Sequence, residues 1–317
     1  MNVTPQGQDC SMCGAPCRTV LTGLFDDRFG AAGTFDILRC QDCGLEQTRP
    51  RPPEAELKLL YEEFYNWGGQ EDTLYYQVRE KFLNSGLYRL WLNWDGDLAF
   101  HLEAGRGRLL DLGCNEGRGL ALYSRNGFQA EGLEINQRAA ATARSRGFTV
   151  HTTPLAEFTP EEPYDVVVLA NALEHATAPW EMLSQVRRLL RRGGQIWISC
   201  PNAASRWRRL FGRHWINWHV PYHLWHFTPE TLRGLITSTG FSLVAMKTFT
   251  PSLWLAQSLW GRMGRAGRAN QPMPSPLVLA GLMLAGRAFI LPWGREADRQ
   301  GRGDCLIVRA ALGGQAE

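Results

Sequence analysis

Asp111, Gly113, Cys114, Asn115 and Gly117 stand in one run, Leu109-Leu110-Asp111-Leu112-Gly113-Cys114-Asn115-Glu116-Gly117-Arg118-Gly119, and Glu134 follows 21 residues after Gly113. An apolar run entering a glycine-rich turn and then a helix brings backbone close to a ligand, and an acid at the tip of the next strand can accept two ribose hydroxyls. Together they describe a nucleoside-cofactor site. The spacing is not G-x-G-x-x-G, and Asp111 at the strand end would repel a pyrophosphate, so a cationic cofactor suits the site better than a dinucleotide.

A second chemistry sits near the start of the chain. Cys10-Ser11-Met12-Cys13 and Cys40-Gln41-Asp42-Cys43 are two C-x-x-C knuckles, 26 residues apart. Cys10, Cys13, Cys40 and Cys43 offer the four soft donors of a structural, tetrahedral Zn2+, with an intervening hairpin over Arg18–Gly23 and Thr34–Arg39. Cys17 is a spare thiol of lower rank. So short a segment buries little core, so metal affinity would hold it folded. Arg18, Arg28, Arg39 and Arg49 are balanced by Asp26, Asp27, Asp36 and Asp42, which argues for a structural role and against nucleic acid as a partner.

The elements that must position these residues follow from periodicity. Short apolar runs at 108–112, 129–134, 149–152, 164–169, 195–199 and 242–249, with a last one at 304–311, alternate with amphipathic segments. That is the signature of an α/β fold with a doubly wound, mainly parallel sheet. Four stretches result: a ribbon over 1–50, a helical cap or linker over 51–105 (Leu57, Leu60, Tyr61 and Phe64 at helical spacing), a cofactor-binding core over 106–250 and 303–317, and an apolar, basic insertion over 251–302.

The run at Asp111 resembles motif I of the class I S-adenosylmethionine-dependent methyltransferases, with Asn115 where their second glycine is commonest. Pro163-Tyr164-Asp165-Val166-Val167-Val168-Leu169-Ala170-Asn171-Ala172-Leu173-Glu174-His175 resembles their fourth motif, and Leu189-Leu190-Arg191-Arg192-Gly193-Gly194 their turn into the next strand. His223-Leu224-Trp225-His226-Phe227-Thr228-Pro229-Glu230-Thr231-Leu232, then Gly240-Phe241, is similar to a further segment. The cysteine-rich start resembles the cap of sugar C-methyltransferases. The resemblance implies a seven-stranded Rossmann-like methyltransferase core with a small N-terminal zinc-ribbon module. It also implies S-adenosyl-L-methionine as cofactor, held by Asp111 and the 113–117 backbone, with Glu134 and Ile135 at the ribose, Leu155 at the adenine and Asn171 near the sulfonium. Cys114 reads as a tight-packing residue.

Methyl transfer from a sulfonium is an in-line displacement that needs alignment and, for a weakly acidic acceptor, a base. His175, His223 and His226 are the candidates, with Glu174 in support. Some quinone-pathway O-methyltransferases use an E-x-x-E-H string for a divalent metal; Asn171 stands in place of the first acid, so that metal is not carried over. The aromatic stretch 213–223 follows the fifth core strand and reads as a substrate cover. Its histidine spacing (His214, His219, His223, His226) comes without an acid or cysteine beside it, so no metal is assigned there.

The acceptor expected is a small molecule, a sugar or glycan precursor first and a quinone-like or lipid-linked compound second. The alternative is an RNA or protein methyltransferase that uses the ribbon for recognition. Net charge of +3 implies no nucleic acid by itself. A polar opening over Met1 to Asp9 and paired cysteines lead to an expectation of a cytoplasmic protein, peripheral at the inner face of the membrane if 251–302 meets lipid. That insertion has seven arginines against Glu296 and Asp298, an apolar run from Leu277 to Leu291 stopped by Pro292-Trp293, and a second apolar stretch, Leu253 to Trp260. It reads as a lid, a homodimer face or a membrane contact.

Overall fold

The computed structural model describes residues 9–63, 81–83, 85–265 and 276–313. Phe64, Arg268 and the cap at Ser275 lie outside these described residues. The core sheet has seven strands: β4 (Arg108–Leu112), β5 (Gln129–Leu133), β6 (Val150–His151), β7 (Tyr164–Ala170), β8 (Leu190–Pro201), β10 (Phe241–Phe249) and β11 (Cys305–Leu312). Their order is β10-β11-β8-β7-β4-β5-β6. Only β11 runs against its neighbours β8 and β10. This is the α/β, doubly wound, mainly parallel sheet expected from the alternation of the sequence.

Side chains alternate across that sheet and divide the core in two. Leu110, Leu112, Val167, Leu169, Ile196, Ile198, Leu306 and Val308 pack on one face. Leu109, Val166, Val168, Trp197, Cys305 and Ile307 pack on the other. Strands apolar on both faces belong in mid-sheet, and β7 occupies that position.

The N-terminal hairpin forms as β1 (Cys17–Leu24) against β2 (Phe35–Cys40), followed by β3 (Glu46–Arg49). A fourth strand, β9 (Trp225–His226), pairs antiparallel with β3 through Glu46↔His226 and Gln47↔Trp225. The ribbon therefore shares its sheet with a segment from the core. Arg208, on the helix Arg206–Phe211, reinforces the junction with two contacts to the buried carboxylate of Glu46, at 2.9 and 3.1 Å.

The insertion departs from expectation in two ways. The helix Ser252–Trp260 is packed into the core, with Leu255 and Ala256 buried, rather than lying at an interface. The second helix, Pro276–Arg299, does not stop at Pro292 but bends by 72° between Ala288 and Trp293. Proline removes one backbone donor and crowds the preceding turn, which kinks a helix as readily as it ends one. No single described helix is long and apolar enough to cross a membrane.

Candidate active site

Ligands bind at the carboxyl edge of an open α/β sheet, and β4, β5 and β7 all end there. The loop after β4 is pinned to β5 by Gly113 N–H donating to Leu133 O at 2.8 Å. Asn115 has φ +50 and Gly117 φ +76, both left-handed. Asparagine tolerates that region better than other side chains, which explains how it stands where glycine is commonest. At Gly117 a Cβ would meet Ala143 Cβ at 2.9 Å, so the helix Arg118–Arg125 starts tight against its neighbour.

Asp111 and Glu134 face this loop. Glu134 accepts from the backbone N–H groups of Asn115 (2.9 Å) and Asn136 (2.8 Å), which fixes its carboxylate at the strand tip. Asp111 is buried, and burial, helped by the charge of Glu134, pushes its carboxyl up to about 7. Burial also raises Glu134 above its ordinary value. Two acids that repel each other in a desolvated corner form a binding site for a cation, so the residues present fit a ligand with sulfonium and ammonium charges. Ile135 is 70% exposed beside Glu134, and Leu155 is partly buried in the turn after β6.

Cys114 is a packing residue here. Its Sγ lies 2.3 Å from where a Cβ on Gly132 would sit, and burial raises its thiol far from the reactive range.

Asn171 follows directly on β7, with φ +52. Its N–H donates to Ser199 O at 3.0 Å, while its Oδ1 is buried without a hydrogen-bond partner. A 3-10 turn, Leu173–His175, follows at once. Glu174, His175 and His223 converge there, with one ligand atom from each within 4.8 Å of the others. His175 Nδ1 is 3.0 Å from Tyr222 O and His223 Nδ1 is 2.8 Å from Asn217 O. A carbonyl only accepts, so both rings carry hydrogen on Nδ1 and keep the Nε2 lone pair for chemistry. Burial lowers His175 to about 4 and His223 well below its ordinary value, so both are neutral at pH 7. Both carboxylate oxygens of Glu174 are buried without partners, and burial raises its carboxyl to about 8. The sequence spacing offered histidines without an acid; the fold supplies one from the β7 turn. A carboxyl and two neutral imidazoles can relay a proton or hold a divalent cation.

His226 lies apart from this group. Its Nε2 is 3.0 Å from Thr48 Oγ1 on β3, and its ring packs 5.1 Å from Trp218. The structure assigns it to the ribbon junction, a correction to its place among the candidate bases. The aromatic stretch 213–223 is also corrected in part. Trp215, Trp218 and Tyr222 are buried core, while the rings of His219 and His223 pack against His175.

Sequence reasoning missed Arg28 and Phe29. Asp26 accepts three backbone N–H groups, from Arg28, Phe29 and Ala31, and so builds a fixed loop in the ribbon. That loop carries Arg28 to His219 Nδ1 at 3.0 Å and Phe29 against the rings of His219 and Tyr222. The only local signal in the sequence is an arginine directly after two acids, Asp26-Asp27-Arg28.

The four thiols of Cys10, Cys13, Cys40 and Cys43 gather in one cluster, with Sγ pairs at 3.7 Å (Cys10, Cys43) and 3.4 Å (Cys13, Cys40). Tetrahedral zinc at ~2.3 Å from each sulfur has S···S edges of about 3.8 Å, so the set fits that ion. Cys17 is outside it, bonded by Gln47 Nε2 at 3.5 Å.

A family model described as a methyltransferase domain matches residues 86–246. The chain is 28% identical over 215 residues to a ubiquinone biosynthesis O-methyltransferase of Cereibacter sphaeroides, covering 63% of this chain and 87% of that one. It is 24% identical over 167 residues to a phosphatidylethanolamine N-methyltransferase of the same organism, covering 48% and 82%. A solved methyltransferase structure from Archaeoglobus fulgidus aligns with 75% of this chain and 100% of its own, at 20% identity and a TM-score of 0.45.

Proposed function

The chain belongs to the methyltransferase-domain family, and on that footing we propose that it methylates a hydroxyl on a small quinone-like acceptor. It is a class I S-adenosylmethionine-dependent enzyme; the acceptor and the role of each side chain are our reading. The sequence ranked a sugar first. The ubiquinone-pathway relatives support reversing that order, as does the edge-to-face cluster of rings made by Phe29, His175, His219 and His223.

The observation that carries the reading is the Glu174–His175–His223 group beside Asn171 at the end of β7. The bound cofactor would supply an electrophilic methyl on a sulfonium. Asp111 and Glu134 would hold its ammonium and ribose ends, with Ile135 and Leu155 against the base. Asn171 Oδ1 would accept from the amino-acid portion. His175 Nε2, neutral at working pH, would take the acceptor's phenolic proton, and Glu174, once ionised above about pH 8, would stabilise the imidazolium that forms. Arg28 would bias the pocket toward an acceptor that develops negative charge on oxygen. A structural zinc on the four thiols would hold the loop that delivers Arg28.

The test is product analysis with a panel of hydroxylated aromatic quinone precursors, nucleotide sugars and RNA. A gain of 14 Da on an aromatic hydroxyl is expected, and His175→Ala should lower turnover by roughly 100-fold or more. A chelator arm on zinc-loaded enzyme separates proton relay from a cation at the same three residues. Methylation of sugars or RNA alone would overturn the assignment.

A further inference from the structure

We propose that the apolar half of the helix Pro276–Arg299, together with an arginine-lined cavity near its far end, docks this protein on an anionic lipid bilayer. From Leu277 to Ala288 not one residue of the helix is buried, although all but Arg287 are apolar or glycine. Leu277 is 86% exposed and Leu284 55%, and beyond the bend Trp293 is 68% exposed. Leu279, Leu282 and Met283 are half-buried, so one side of the helix rests on the protein, while an apolar face around Leu277 and Leu284 stays open to a partner.

The charge around it selects the partner. Arg206, Arg209 and Arg302 line a cavity of about 280 Å³ with Ala204. All three are exposed, and among the described residues none has an ion-pair partner. The cavity is tied to the apolar helix through backbone: Arg302 N–H donates to Ala297 O at 2.7 Å, and Arg206 N–H to Arg302 O at 3.0 Å. Gly294 faces Trp207, between the first two arginines in sequence. Leu210, Leu259 and Met263 are exposed nearby in the chain, with Arg262 fixed on Leu210 O at 2.6 Å. Apolar side chains beside unneutralised guanidinium groups match acyl chains beneath phosphate headgroups. A second copy across a two-fold axis would place like patches, and so like charges, together. No single described helix is long and apolar enough to cross a bilayer, and the apolar segment Leu277–Ala288 reaches only about 18 Å at ~1.5 Å per residue against a ~30 Å core, which favours a helix lying in the interface.

This docking does not depend on the identity of the methyl acceptor, and its test uses none. Full-length protein is floated with vesicles of phosphatidylglycerol or of phosphatidylcholine, at low and high salt. Wild type is expected to rise with the anionic vesicles at low salt and to stay down with the neutral ones. Arg206→Ala/Arg209→Ala should lower anionic binding roughly 25-fold, about five-fold per charge. Leu277→Asp/Leu284→Asp, at two exposed positions, should abolish it while the protein stays folded by circular dichroism. Wild type remaining below the anionic vesicles at low salt, or binding both lipids equally, overturns the proposal. So does a wild-type dimer that Leu277→Asp/Leu284→Asp converts to monomer, because a second copy then covers the helix.

Discussion

Asn115 and Asn171 hold two left-handed backbone positions at the carboxyl edge, within the proposed cofactor site. Backbone in that region is costly for a residue with a Cβ, and it persists where neighbouring bonds over-determine it. Here Glu134 fixes Asn115 and Ser199 fixes Asn171. Asp111 gives the sharpest expectation at this scale. Its carboxyl rests near 7 in the cofactor-free protein, so below that pH it is neutral and offers a cation nothing. Affinity for S-adenosylmethionine should therefore fall by up to ~10-fold per unit as pH drops below about 7. Calorimetry at pH 6 and pH 8 reads this, and Asp111→Asn should bind weakly at both, with no pH dependence. These two acids were legible from sequence because strand, turn and next strand tip are local. Arg28 was not, since 191 residues separate it from His219. The tryptophans of 213–223 were misread because ring-rich sequence looks the same whether it faces a ligand or a core.

At the scale of elements, the junction between ribbon and core is the feature that sequence hid. The strand β9 has two residues, too few for any periodicity, and nothing marks it as a partner for β3. The hairpin itself was legible to within a residue, because its knuckles and alternating strands are local signals. Glu46 and Arg208 are a buried pair across the junction, with Glu46 raised by burial despite the guanidinium. Removing one partner of such a pair leaves an uncompensated charge, a cost of about 3 kcal/mol. Arg208→Ala should thus lower Tm by several degrees while the protein keeps one equivalent of zinc. Cys40→Ser should lose the metal. Metal analysis finding no zinc in freshly reduced wild type would remove the ribbon assignment, and an unchanged Tm in Arg208→Ala would remove the junction.

For the whole molecule, the alternating core was readable because seven apolar runs with helical spacers admit few sheets, and the bend at Pro292 was not, since proline permits both a stop and a kink. The buried acids set a global pH response. Glu174 rises to about 8, and Asp111 and Asp304 to about 7, all through burial. The native chain therefore keeps protons that the unfolded chain releases near pH 4. Stability from these groups is full below that pH and is lost as pH rises through 7 to 8. Histidines lowered by burial add nothing above about pH 6.5, where both states hold them neutral. Cofactor-free protein should melt at a lower temperature at pH 8 than at pH 6.5, and Glu174→Gln should flatten that slope. Differential scanning calorimetry across this range checks it; a Tm that rises toward pH 8 would contradict the burial of these carboxyls.

Glu46 pairs with His226, and Thr48 with His223 and His226, across roughly 180 residues of chain. A ribosome adding about 5–20 residues per second needs on the order of 10–40 s to cover that distance. During that interval the four thiols emerge and can meet metal, but the sheet they support has an open edge at β3. Vectorial synthesis thus imposes an order: metal capture first, edge closure only after residue 226 has left the exit tunnel. A nascent chain stalled before that point would expose β3 as a strand edge for intermolecular pairing. The two-residue strand is therefore also a late latch in biogenesis, whose timing is set by its position in the gene.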